Sequence, residues 1–280
     1  MSVPTYVGVY GGGRMGAGIA HAFLLAGSSV VVIEADDEGV ALARGRLEGS
    51  LAQAAVRGVL RGPVHEVSAR LTVTTDAGRL VDAELVIEAV PEVPELKQSV
   101  LRRIEIAAPR ALIASNTSSL SVDVLANALD RPENFIGLHF FNPVPASELV
   151  EIVVGARTDS ALVEAARQWV EALGKTAITV SDSPGFASSR LGVAIALEAM
   201  RMVERGVASA HDIDIAMTLG YKHPMGPLRT TDVVGLDVRL AIAEHLFQEL
   251  GPRFEPPAIL KDKVASGQLG RKTKQGFFTW

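Results

Sequence analysis

The rhythm of apolar and polar positions changes part-way along the chain. Up to about residue 180, short apolar runs alternate with longer stretches of helical period. The runs at 7–9, 30–33, 71–74, 85–89, 111–114, 135–141, 149–154 and 176–180 read as strands. Between them, 37–60, 92–107 and 158–173 read as helices. Val93, Leu96, Val100, Leu101 and Ile104 fall at helical spacing, and Gly174 is a natural C-cap. Strands alternating with helices predict a parallel, doubly wound sheet. The texture shifts at Ser181-Asp182-Ser183-Pro184-Gly185. Beyond it the pattern is helix after helix. Residues 186–205 carry an apolar face through Leu191, Ile195, Ala199 and Met202, closed by Gly206. Ser209 with Asp212 forms a capping box for the next helix, and 235–250 and 257–266 follow. The expected architecture is α/β: a sheet domain over 1–184, then an all-α domain over 185–280.

The first two runs frame a glycine turn. Residues 7–34 read VGVYGGGRMGAGIAHAFLLAGSSVVVIE, with Gly11, Gly13 and Gly16 filling G-x-G-x-x-G. In a strand–turn–helix context these glycines give a tight turn, close backbone approach to a pyrophosphate, and close helix–strand packing. The helix opening at Arg14 and Met15 aims unpaired N–H groups and its positive dipole end at that pyrophosphate. Glu34 ends the second run, where a carboxylate accepts from ribose hydroxyls. A carboxylate there repels a 2′-phosphate, which favours NAD over NADP, and Asp36 and Asp37 add to that field. The turn predicts a Rossmann-type, dinucleotide-binding first domain. A βαβ unit whose glycines only make turns is the alternative.

Composition narrows the picture by exclusion. The chain has 280 residues, 48% hydrophobic, and a formal net charge of −5. Nothing marks a nucleic-acid surface. There is no cysteine, so no disulfide framework, thiolate metal site or cysteine nucleophile. No zinc-like His/Asp spacing occurs, and no metal is expected. No signal peptide is visible, and no apolar run reaches the ~20 residues a bilayer span needs. A cytoplasmic location is the simplest expectation.

Ligands of a doubly wound sheet bind outside the carboxyl ends of its strands. Polar groups at those ends are therefore candidates. His139 ends an apolar run beside Phe140 and Phe141. It suits a general base, or it is a core histidine bonded to a carbonyl. His21, His65, His211, His223 and His245 have no such placement. Glu151 interrupts Leu149-Val150-Glu151-Ile152-Val153, where an unpaired carboxylate is costly to bury. If the two runs are neighbours, Glu151 orients the imidazole; on an edge strand it faces water instead. Ser115-Asn116-Thr117-Ser118-Ser119 follows a buried run. It offers Asn116 and hydroxyls to cofactor or substrate, or merely caps the next helix.

These stretches, taken together, resemble the L-3-hydroxyacyl-CoA dehydrogenases, especially the compact bacterial 3-hydroxybutyryl-CoA dehydrogenases. The matching segments run in order along the chain: GGGRMGAGIA, VIEAVPE, ASNTSSLS, GLHFFNPVP, LVEIV, DSPGF, HPMGPL and GRKTKQGFF. The resemblance implies an NAD-dependent oxidoreductase interconverting (S)-3-hydroxyacyl-CoA and 3-oxoacyl-CoA on short chains. It implies His139 as base, Glu151 as its partner and Ser118 as a contact to the substrate oxygen. Glu92, Lys97 and Lys272 fall at nucleotide contacts, and Ser50 and Arg57 at coenzyme A contacts. Arg44, Arg46, Arg57 and Arg61 on the 37–60 segment suit an anionic coenzyme, or form a solvated helix face. One position departs from the family: Ser189 stands where an asparagine usually helps hold the substrate, and a serine reaches less far. The long first helix of the second domain suggests a homodimer. Rival expectations are a dehydrogenase of a free 3-hydroxy acid or sugar acid, and a non-catalytic dinucleotide-binding protein.

Overall fold

The computed structural model describes residues 3–60 and 62–280; Arg61 lies outside the described residues. The chain divides into two compact units, Met1–Asp182 and Ser183–Trp280.

In the first unit the elements run β1 (Tyr6–Tyr10), α1 (Arg14–Ala26), β2 (Ser29–Ile33), α2 (Asp37–Val56), α3 (Val64–Ser68), β3 (Leu71–Thr74), β4 (Leu85–Glu88), α4 (Pro94–Ala107), β5 (Leu112–Ser115), α5 (Val122–Ala126), β6 (Phe135–Phe140), β7 (Leu149–Val154), α6 (Ser160–Ala172) and β8 (Thr176–Ser181). The sheet order is β3-β2-β1-β4-β5-β6-β7-β8. The chain winds outward from β1 through β2 to β3, then restarts at β4 on the other side of β1. That reversal opens the crevice in which such sheets bind ligands. Every pairing is parallel except β6 with β7. The connection from β6 to β7 holds no helix, so β7 returns antiparallel. β4 and β6 are buried along their whole length, because helices cover both faces. The core joins Val7, Val9, Phe23, Leu24, Leu47, Leu85, Ile87 and Ile152. Each such side chain, fully buried, contributes about 1.5–3 kcal/mol.

Three helix starts are set by side-chain caps. Asp36 accepts from Gly39 N–H, Ser121 from Val124 N–H and Asp159 from Ala161 N–H. α2 stops at Val56, short of the expected 60, because Gly58 turns the chain at φ 68°.

The second unit is helical: α7 (Ser188–Glu204), α8 (Ala210–Ile215), α9 (Pro227–Val234), α10 (Leu236–Leu250) and α11 (Ala258–Ala265). Its own core gathers Val193, Leu197, Met200, Leu228, Leu236, Leu246 and Leu260. Ser209 caps α8 by accepting from Asp212 N–H. The buried carboxylate of Asp214 accepts from Leu228 and Arg229 N–H, 2.9 Å each, at the start of α9. Asp232, also buried, accepts from Phe277 N–H, Phe278 N–H and the Trp280 indole, tying the tail to α9. Among the described residues no helix is long and apolar enough to cross a membrane.

Candidate active site

β1, β4, β5 and β6 run parallel, so their carboxyl ends share one edge of the sheet. Antiparallel β7 brings its beginning to the same edge. The glycine turn, Glu88, the 115–119 segment, His139 and Glu151 all lie along it.

At the turn, Gly11 has φ 96°, and a Cβ on Gly16 would run into the Gly11 carbonyl oxygen. No atom approaches a Cβ position at Gly13 within 4 Å, so the turn is open where a ligand would come. The first-turn N–H groups of α1, at Arg14 and Met15, have no intrahelical acceptors, and no acid lies among them. Glu34 Oε1 accepts from Gly12 N–H at 2.7 Å. Among the described residues its Oε2 accepts no hydrogen bond, which leaves an oxygen for a ribose hydroxyl. The cradle fits a dinucleotide pyrophosphate and an unphosphorylated ribose.

Behind the turn lies a buried charge cluster. Lys97 is 1% exposed. Its Nζ stands 2.7 Å from Glu88 Oε1, 3.2 Å from Glu92 Oε2 and 3.1 Å from the Val90 carbonyl. Glu88 also accepts from Val90 N–H and, through Oε2, from the Ser115 hydroxyl at 2.6 Å. Glu92 Oε1 gathers the Thr117 hydroxyl at 2.7 Å, Ser118 N–H at 2.8 Å and Ser119 N–H at 3.0 Å. Burial pushes the Glu92 pKa up, but Lys97 and these hydrogen bonds together hold it below the ordinary glutamate value. The cluster fixes the loop that carries Ser118. Asn116 Oδ1 accepts from Phe140 N–H at 2.9 Å, which locks the same loop to β6. Glu92 and Lys97 thus stand inside this edge, with Lys97 enclosed.

His139 and Glu151 face each other across the antiparallel pair. Nδ1 lies 2.7 Å from Glu151 Oε2, with the residues 6% and 0% exposed. A carboxylate only accepts, so Nδ1 carries the proton in this contact. Phe141 packs on the imidazole at 4.4 Å between ring centroids.

A second feature of the unit is a cavity of about 670 Å³ among α1, α2 and the 142–146 loop. Arg14, His21, Arg46, Ser50, Arg57 and Lys175 contribute to its lining. Ser50 Oγ is 3.0 Å from His21 Nδ1. Burial lowers the His21 pKa below 6.5, and Lys175 and Arg57 lower it further. The folded state therefore favours neutral His21. The stability this contributes is complete above about pH 6.5 and is lost as pH falls through the lowered folded value. His21→Gln is expected to flatten the decline in urea midpoint between about pH 7.5 and 5.5. A decline identical to that of the parent would contradict this.

In the second unit, Ser189 is half-buried in the first turn of α7. Lys272 is 2.6 Å and 2.5 Å from the two Asp237 carboxylate oxygens.

Residues 6–183 match the model of the 3-hydroxyacyl-CoA dehydrogenase NAD-binding domain, and residues 185–280 match that of its C-terminal domain. The chain belongs to the 3-hydroxyacyl-CoA dehydrogenase family. Its cofactor is accordingly NAD. The chain is 40% identical to the probable 3-hydroxybutyryl-CoA dehydrogenase of Deinococcus radiodurans, covering 98% of this chain and 99% of that protein. The crystal structure of (S)-3-hydroxybutyryl-CoA dehydrogenase PaaH1 from Ralstonia eutropha superposes with a TM-score of 0.94 at 37% identity, covering 99% of each chain. FadB2 of Mycobacterium tuberculosis superposes at 0.93 with 40% identity over the whole of both chains.

Sequence reasoning on this family member missed His21 and Lys175. Both owe their place to a cavity assembled by tertiary packing, and helical period alone does not mark it.

Proposed function

We propose that the chain interconverts (S)-3-hydroxyacyl-CoA and 3-oxoacyl-CoA, on short acyl chains such as 3-hydroxybutyryl, with His139 as the catalytic base. The observation that carries this reading is the buried 2.7 Å contact between His139 Nδ1 and Glu151 Oε2 at the ligand edge of the sheet. NAD, when bound, supplies the hydride acceptor for C3. Gly11, Gly13, Gly16, Arg14 and Met15 hold its pyrophosphate, and Glu34 its ribose. Glu92, Lys97 and Asn116 complete the nucleotide contacts, Lys97 through the groups it pairs. In the oxidative direction His139 Nε2 takes the 3-hydroxyl proton while Nδ1–H stays donated to Glu151. The carboxylate offsets the positive charge that arrives on the ring. Ser118 places the 3-oxygen against Nε2. In the reductive direction the same Nε2–H returns its proton to the ketone oxygen.

Ser50 and Arg57 contact coenzyme A at the cavity beside α2, where Arg14, Arg46 and Lys175 add positive charge. Copies of the chain pair through the helical unit, where Leu191 and Ile195 stand 63% and 38% exposed on α7. The enzyme works in the cytoplasm.

The test is NADH consumption with acetoacetyl-CoA, with free coenzyme A as competitor. Turnover that coenzyme A inhibits competitively is expected. Turnover of a free 3-oxo acid, indifferent to coenzyme A, would move the activity to another substrate class. No turnover, with NADH still bound, would leave a dinucleotide-binding protein without this chemistry.

A further inference from the structure

The cavity beside α1 and α2 is built within the sheet unit, and its charge is one-sided. Arg14, Arg46, Arg57 and Lys175 stand in its lining, and among the described residues no acid does. Two helix stripes make its walls. On α1, Arg14, Gly18 and His21 follow one another at spacings of four and three. On α2, Arg46, Ser50, Gln53 and Arg57 do so at four, three and four. Residues so spaced share one helix face. A Cβ on Gly18 would stand 2.8 Å from Val144 Cβ, so the 142–146 loop closes down on α1 there.

His21 stands among these cations and is 3% exposed. Its Nδ1 meets Ser50 Oγ at 3.0 Å. Among the described residues Nε2 has no partner, which leaves it to whatever enters the cavity. The charges facing the imidazole are Arg14 from its own helix, Arg46 and Arg57 from α2, and Lys175 from the turn between α6 and β8. Lys175 has Glu148 nearby, and its Nζ donates to the Val144 and Ser147 carbonyls at 2.7 Å and 2.5 Å. The 142–146 loop brings no charge. These surroundings disfavour a proton on His21: burial first, then Lys175 and Arg57, lower its pKa. An entering phosphate reverses the balance. A phosphate monoester carries about −1.5 to −2 charge and three acceptor oxygens. It accepts from Nε2–H of an imidazolium, while Nδ1–H donates to Ser50 Oγ. The Ser50 hydroxyl, no longer a donor to the ring, turns its own proton to the phosphate.

We propose that His21 is the residue through which the protein senses coenzyme A: one proton from water enters the imidazole as a coenzyme phosphate binds, ring and Ser50 clamp that phosphate together, and acyl-CoA is held more tightly as pH falls. This rests on the dehydrogenase reading and on coenzyme A at this cavity. It goes further by making occupation of the cavity proton-linked. The complex binds more protons than the free protein, so affinity rises as pH falls towards the lowered free value of His21 and levels off below it. The phosphate's own second ionisation, at about pH 6, works in the opposite direction, so the parent is read against His21→Gln.

The test is calorimetric titration of the whole protein with free coenzyme A between about pH 8 and 6. Two buffers of different ionisation enthalpy give the protons taken up per coenzyme bound. The parent should take up protons, and its Kd should fall by up to about tenfold per pH unit, the limit for one linked proton. Glutamine at 21 can donate to Ser50 but cannot take a proton. The ratio of the two Kd values should grow from about one at pH 8 to about tenfold at pH 6, and the variant should lose the uptake. If His21→Gln does not fold, the parent decides alone: coenzyme A bound at about pH 7 without proton uptake overturns the inference. Equal uptake in both proteins overturns it too, and either result leaves coenzyme A at the cavity. No binding of coenzyme A to the parent at any pH removes the cavity assignment and the inference with it. The dehydrogenase reading stands or falls separately, on NADH consumption with acetoacetyl-CoA.

Discussion

His139→Ala is expected to lower kcat by about 10²–10⁴-fold, the usual loss for a general base. NADH binding, read from nucleotide fluorescence, should be kept, because the glycine turn and Glu34 do not involve this side chain. Glu151→Gln tests the orienting role separately. An amide can donate to Nδ1, which places the ring proton on Nε2, the tautomer that cannot accept from a hydroxyl. The corresponding change in a serine protease triad costs about 10⁴-fold in kcat, so a loss of similar order is expected here. Near-full turnover in His139→Ala would end the assignment of the base.

The largest stability effect should come from Lys97→Met. The substitution keeps most of the side-chain volume but removes the charge that Glu88 and Glu92 share at 2.7 Å and 3.2 Å. Breaking a buried pair by deleting one partner costs about 3–5 kcal/mol. In a unit of this size that is a fall of roughly 6–20 °C in melting temperature. The pH dependence gives the sign. The Glu92 pKa is held below its ordinary value, mainly by Lys97 working against desolvation. The stability it contributes is present above the ordinary glutamate pKa and lost as pH falls through the folded value. The gap between parent and variant should therefore narrow on acidification. A Lys97→Met protein melting with the parent at neutral pH would show that the cluster contributes nothing.

The strands were legible because their burial on both faces leaves continuous apolar runs such as Val30-Val31-Val32-Ile33. Such runs carry no direction, so the reversal of β7 came only with the pairing to β6. The His139–Glu151 contact was half legible for the opposite reason: a carboxylate inside an apolar run is costly to bury without a partner, and the pairing of β6 with β7 decides between that partner and water. α3 and α9 were not expected. α9 begins on caps from Asp214, 14 residues before Leu228 in sequence, and tertiary caps leave no local signature. α4 starts at Pro94 rather than 92 because Val93 is its N-cap residue, which leaves Glu92 in the preceding turn, free to gather the 117–119 backbone. Glu88 and Lys97 each show as a charge in the sequence. That they enclose one another depends on the loop between them.

The clamp on Asp232 bears on how the helical unit is made in the cell. Its donors arrive 45, 46 and 48 residues later in the chain. During synthesis α9 emerges with an acid that cannot be enclosed until residues 277–280 have cleared the ribosome. The sheet unit has all its strands by residue 181 and can settle while translation continues, as N-terminal domains generally do. The helical unit completes last, and a nascent chain stalled before residue 277 would hold it open.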